Sequence, residues 1–209
     1  MSVLEKLAGS LGRRDKEPNK DLAKEIADRE DHEAIEELVE HLEDADRNLQ
    51  SDCIETLYET GTINPNLIAP YTRAFGNLLQ NKNNRLVWGA MIALDSIARV
   101  EPMRVFDLFS EIVEALDKGS VITKDYGVGI LSTLSAIPEC RAQTFPLLMN
   151  ELRKCPPKQL PTYAGKALVA IDETNRKEFV ELIQGRIPDL EKESQRKKIK
   201  KLLRELDAA

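Results

Sequence analysis

Trp88 and Asp95 are seven residues apart, a spacing that sets two side chains on one face of a helix, and Arg85 and Arg99 bracket them. An indole between guanidinium groups, with a carboxylate on the same stripe, suits the holding of a partner chain. Tryptophan and arginine are the residue types that dominate binding energy at protein interfaces. Bond-breaking sets are missing. The two histidines, His32 and His41, lie nine residues apart with acidic side chains between them. Cys53, Cys140 and Cys155 are odd in number and fit no zinc spacing. No glycine-rich phosphate loop, serine nucleophile motif or cysteine–histidine arrangement occurs. The chain is therefore expected to be no enzyme, with no catalytic residue, no metal site and no cofactor.

The stripe needs a helix, and the chain supplies helices on a repeat. Four stretches align at one 37-residue offset without an insertion. Cys53, Ala90, Gly127 and Ala164 take one small-residue position; Leu57, Leu94, Leu131 and Leu168 take the next; Leu38, Phe75, Ile112 and Met149 take a third, upstream. A period of this size marks stacked repeats, in which no unit buries its apolar face alone. Each unit reads as two helices: Ala34, Ile35, Leu38 and Leu42 recur at three- and four-residue steps, a polar turn follows, and a second stripe runs through Leu49, Cys53 and Leu57. A fifth unit begins at Phe179 and closes with Ile199, Leu203 and Leu206. Pro65, Pro102 and Pro161 fall at first helical positions, which need no backbone N–H. The expected fold is all-α, a right-handed α-solenoid of about five helical hairpins.

Paired helices of this length, with a small residue plus leucine on the second helix and an acidic or asparagine-containing turn ahead of it, resemble HEAT repeats, and armadillo-type repeats are similar. Asp46-Arg47 before Leu49 and Cys53, and Asn84-Arg85 before Val87 and Ala90, carry the resemblance. It weakens in the third and fourth units, where Val121 and Lys158 stand instead. The resemblance implies a scaffold or adaptor whose second helices line a concave face. Stepping about 100° per residue, the side of the second unit's helix away from the core holds Arg85, Trp88, Ile92, Asp95 and Arg99. Equivalent stripes hold Glu55 and Tyr58 in the first unit, Gly129 in the third and Lys166 in the fourth. Partner binding is accordingly expected at Arg85, Trp88, Ile92, Asp95, Arg99, Gly129, Lys166 and Tyr58, with Gly129 admitting a ligand backbone. Alternatively, curvature or the N-terminal segment covers Trp88 and makes it core.

Two enzyme classes are built on such repeats. The resemblance to iron-dependent HEAT hydroxylases fails because only one His-Glu pair, His32-Glu33, occurs. DNA glycosylases for alkylated bases use aromatic residues and an aspartate in a HEAT-like concave face, and Trp88 with Asp95 keeps that alternative open. The net charge of −6 argues against it, since DNA affinity comes mostly from neutralised phosphates. The expected partner is a protein or peptide, not a nucleic acid.

Residues 1–18 read as a separate segment: Leu4, Leu7, Ala8 and Leu11 form a short apolar stripe on a polar tether, ahead of a repeat domain over 19–209. The stripe could dock on its own solenoid, on a partner or on a membrane surface. From Glu25 to Glu59 only Arg29 and Arg47 interrupt a long series of acids, whereas Arg196, Lys197, Lys198, Lys200, Lys201 and Arg204 cluster near the other end. These ends could bind oppositely charged partners or each other, and as solvated faces they keep the chain soluble. No apolar run nears the ~20 residues of a membrane span. With charges breaking the N-terminal apolar residues and buried, inert thiols expected at the cysteines, the expected location is the cytoplasm.

Overall fold

A computed structural model describes residues 2–208. The chain divides into two compact units, 1–127 and 128–209.

The first unit opens with a 3-10 turn over Val3–Lys6 and continues into α1 (Glu17–Arg29), α2 (His32–Glu40) and α3 (Arg47–Ile63). Asp31 caps α2 by accepting from the Ala34 N–H at 3.0 Å. The next repeat has three helices where the sequence suggests two. Helix α4 (Pro65–Ile68) gives way to a 3-10 turn over Ala69–Tyr71 and then α5 (Thr72–Leu78). Pro70 is the cause: it lacks an N–H and its ring clashes with the preceding turn. The Ala69 carbonyl closes the turn by accepting from the Thr72 N–H and, at 2.6 Å, from the Thr72 hydroxyl. Helix α6 (Asn84–Ala98) completes the repeat. The third repeat breaks likewise, into α7 (Pro102–Phe106) and α8 (Phe109–Lys118), with Leu108 buried at the break and no proline there. Helix α9 (Val121–Ser135) runs across the boundary between the units.

The second unit holds α10 (Pro138–Lys154), α11 (Leu160–Ala167), α12 (Arg176–Gly185) and α13 (Glu193–Ala208). Here the first helix of the fourth repeat stays continuous despite Pro146 within it. Arg186 substitutes for a cap at its far end, donating to the Leu152 and Cys155 carbonyls, each at 2.9 Å.

The 37-residue period has two physical signatures. Cys53, Ala90 and Ala164 have no exposed surface, and a Cβ on Gly127 would lie 2.5 Å from the Leu116 side chain, so this position is small because helices cross there. One residue position also caps the second helices. Asp46, Asn83 and Ser120 accept from the N–H of Asn48, Arg85 and Thr123 at 2.8, 3.1 and 3.3 Å. Ser120 thus restores in the third repeat what the turn motif seemed to lose. Pro157 stands at that position in the fourth, where the second helix shortens to α11 and finishes in a 3-10 turn over Leu168–Ala170.

All three cysteines are buried free thiols, and burial, with the nearby Asp52 and Asp44 charges, pushes Cys53 up to about 12. At neutral pH a thiol reagent is expected to leave Cys53, Cys140 and Cys155 unmodified in the native chain and to react with all three once denaturant is added. Rapid native-state modification would contradict this packing.

Candidate functional site

The surface expected along α6 is much shorter than the sequence suggests. From Gly89 to Ala98 every residue is buried, Ile92 at 9% and Asp95 at 4% exposure. Both were expected to meet water. The reason is legible in α6 itself, since a helix apolar around nearly its whole circumference is an interior helix. Arg99 remains exposed and is ion-paired to Asp95 at 2.9 Å. Gly129 is also buried, in the middle of α9, which corrects its expected role of admitting a ligand backbone at an open face. Lys166 is half-buried on α11. Gly129 and Lys166 belong to the second unit.

What remains open is the N-terminal end of the face. Helices α3 and α6 pack side by side there, and a side chain on Gly89 would strike Ile54 at 2.6 Å. This close approach sets Tyr58 of α3 against Trp88 of α6, ring centroids 5.8 Å apart and tilted by 54°, a favourable aromatic geometry. Tyr58 is buried and Trp88 half-buried. One turn before Tyr58 stands Glu55, whose side chain is 1% exposed. Its carboxylate accepts from the Tyr58 hydroxyl at 3.4 Å and from the Asn19 amide at 3.3 Å, and it pairs with Arg85 at 3.5 Å. Burial first, then the Glu55 and Glu59 charges, pushes the Tyr58 phenol well above its ordinary range. It is a hydrogen-bond donor at any physiological pH.

The N-terminal segment completes the site. Leu7 and Ala8 are buried, the Ala8 N–H donates to Asn19 at 2.9 Å, and the Gly9 N–H donates to Asp52 at 2.8 Å. Leu11, expected on the same apolar stripe, is 54% exposed. The chain turns at Gly12, with φ of +67°, and brings Lys16 to Glu55 at 2.7 Å and to 5.5 Å from the Trp88 ring centroid. Between this segment and the start of α3 lies a cavity of about 610 Å³. Tyr58, Arg85 and Trp88 are therefore brought together, with Glu55 at their centre. Asn19 and Lys16 are members that sequence reasoning missed; their signal is tertiary, since nothing local ties residue 16 or 19 to residue 55.

Among the described residues no three His, Cys, Asp or Glu side chains converge where a metal could sit, and no helix is long and apolar enough to cross a membrane. Lys197, Lys198, Lys200 and Lys201 are exposed along α13.

No protein-family model and no curated protein sequence matches the chain. Solved structures do. An engineered protein is 21% identical over 100% of both chains, with a TM-score of 0.69. A designed armadillo repeat protein in complex with the peptide (KR)4 is 15% identical over 90% of each chain, with a TM-score of 0.69. A structure of computationally designed armadillo repeat proteins for modular peptide recognition is 15% identical, covering 90% of this chain and 91% of that one, with a TM-score of 0.67. At these identities the likeness is one of fold. The chain is an all-α, armadillo/HEAT-like solenoid.

Proposed function

We propose that this chain is a non-enzymatic repeat scaffold that binds a peptide or an extended protein segment on its concave face, where the second half of α3 meets the start of α6. The observation that carries the proposal is a half-buried tryptophan, paired with a tyrosine, beside a carboxylate with 1% exposure at the open end of the second-helix face. Trp88 supplies apolar contact and Arg85 a polar handle. Asp95 acts from below by holding Arg99. The similar solved structures include a designed armadillo repeat protein holding a peptide, which supports a peptide as the class of partner here.

The test is an affinity capture from native cell lysate with wild type and Trp88→Ala side by side. The partner is expected to bind the variant roughly tenfold to thirtyfold more weakly, the loss of one aromatic anchor. Equal recovery by both proteins would overturn the assignment of this face. Recovery of nucleic acid in place of protein would favour the alternative of a glycosylase for alkylated bases.

A further inference from the structure

Two helices carry exposed surfaces of a single charge. On α13, Lys197, Lys198 and Lys200 are exposed and stand in no ion pair among the described residues, while Lys201 pairs with Glu205 at 3.5 Å. On α2, Glu33, Glu36 and Glu40 are exposed and likewise in no ion pair among the described residues. No lysine or arginine occurs from Glu30 to Asp46. Exposed charges elsewhere are matched within their own helix: Arg29 with Glu25 at 2.7 Å, Lys118 with Glu114 at 2.6 Å. Like charges one turn apart destabilise the helix that bears them. Glu36 and Glu40 on α2, and Lys200 and Arg204 on α13, have that spacing. Each helix therefore carries a repulsion that a surface of opposite charge relieves.

The two surfaces also match in spacing. Glu33, Glu36 and Glu40 follow one another at steps of three and four residues, and so do Lys197, Lys200 and Arg204. At about 1.5 Å of rise per residue, each triad covers about 10 Å of one helix face. Laid alongside in parallel, the helices bring three opposite charges into pairs. Charge alone makes weak contacts at an exposed surface. A recess of about 440 Å³ between the end of α12 and α13, lined by Gln184, Ile187, Lys200, Leu203 and Arg204, adds apolar surface beside two of the cations.

We infer that α13 of one copy of this chain docks on α2 of a second copy through these triads. The contact is heterologous, so each docked pair leaves one α2 and one α13 open, and association grows with concentration unless the copies close a ring. Neither helix contributes a residue to the Tyr58–Trp88 site, and the peptide-binding reading stands or falls separately.

The experiment is sedimentation equilibrium of the full chain over a range of concentrations, in about 0.1 M and about 1 M salt, where the screening length falls from roughly 10 Å to roughly 3 Å. Wild type is expected to gain mass with concentration at the lower salt and to return to monomer at the higher. Two triple variants each remove one side: Glu33→Gln with Glu36→Gln and Glu40→Gln, and Lys197→Gln with Lys200→Gln and Arg204→Gln. All six side chains are exposed, so both variants should keep the wild-type circular dichroism. Alone, each should associate about tenfold more weakly or worse, the loss of three exposed ion pairs. Mixed in equal amounts, they should form dimers and nothing larger, because the first retains α13 and the second retains α2. Wild type that stays monomeric at the lower salt, variants that associate as well as wild type, or a mixture that forms no dimers would each overturn the α13–α2 contact. Should monomeric wild type instead cosediment with phosphatidylserine vesicles, and the Lys197/Lys200/Arg204 variant fail to, α13 would belong to an anionic lipid surface and not to a second copy.

Discussion

Asn19→Ala is expected to lower the free energy of unfolding by about 2–4 kcal/mol, because it strands several buried partners at once. Asn19 has no exposed surface. Its carbonyl oxygen accepts from the Ala8 N–H at 2.9 Å, and its amide donates to Asp52 at 3.0 Å and to Glu55 at 3.3 Å. One side chain thus ties the N-terminal segment to α1 and α3. Alanine leaves the Ala8 N–H, in a residue with 4% exposure, without its acceptor, and removes a donor from a carboxylate buried almost completely. Urea unfolding supplies the number, and hydrogen exchange at the Ala8 and Gly9 amides supplies the location. A change below about 0.5 kcal/mol, the range of ordinary surface substitutions, would mean that the segment is not held through Asn19.

The second large effect is Phe75→Ala, expected to cost about 3–5 kcal/mol by loss of transfer energy and creation of a cavity. Phe75 has no exposed surface and is among the largest fully buried side chains of the chain. It also occupies a repeat position, with Leu38, Ile112 and Met149 at the same offset and exposures of 0, 0 and 2%. Alanine at each of these should cost about 2–5 kcal/mol. If the four sites are one structural position, all are costly, while alanine at Glu36, an exposed residue of α2, should stay within about 0.5 kcal/mol of wild type. A small loss at any of the four would break the equivalence that the spacing implies.

The fold was legible in the sequence wherever repeat geometry restricts residue size. Cys53, Ala90, Gly127 and Ala164 announce a helix crossing, since only small residues fit there, and Leu57, Leu94 and Leu131 announce the core beside it. Leu168 is only half-buried and lies in a 3-10 turn, because α11 ends one residue before it. The split of α4 from α5 was also signalled, by Pro70, although the apolar stripe ran through it undisturbed. The site was legible only in part. A 100° step along α6 identifies the stripe from Arg85 to Arg99 but treats the helix as packed on one side. Helix α6 is buried all round at its centre, so Ile92 and Asp95 leave the surface while Arg85 and Trp88 keep it. Glu55 stood on the stripe yet drew no attention, because its worth depends on Asn19 and Lys16, more than thirty positions away.

Capping at Asp46, Asn83 and Ser120 has a consequence for how this molecule can be altered. Each cap is followed at constant distance by the small crossing residue and then by a buried leucine, so the stretch from one cap to the next is a self-consistent cassette. Joining the chain at two caps puts an oxygen acceptor, a crossing position and a leucine back where the following helix requires them. Whole units can be duplicated, removed or exchanged at those joints with helix start and core register preserved together. A join one residue off would keep the same composition but turn each second helix by about 100°, burying the wrong face.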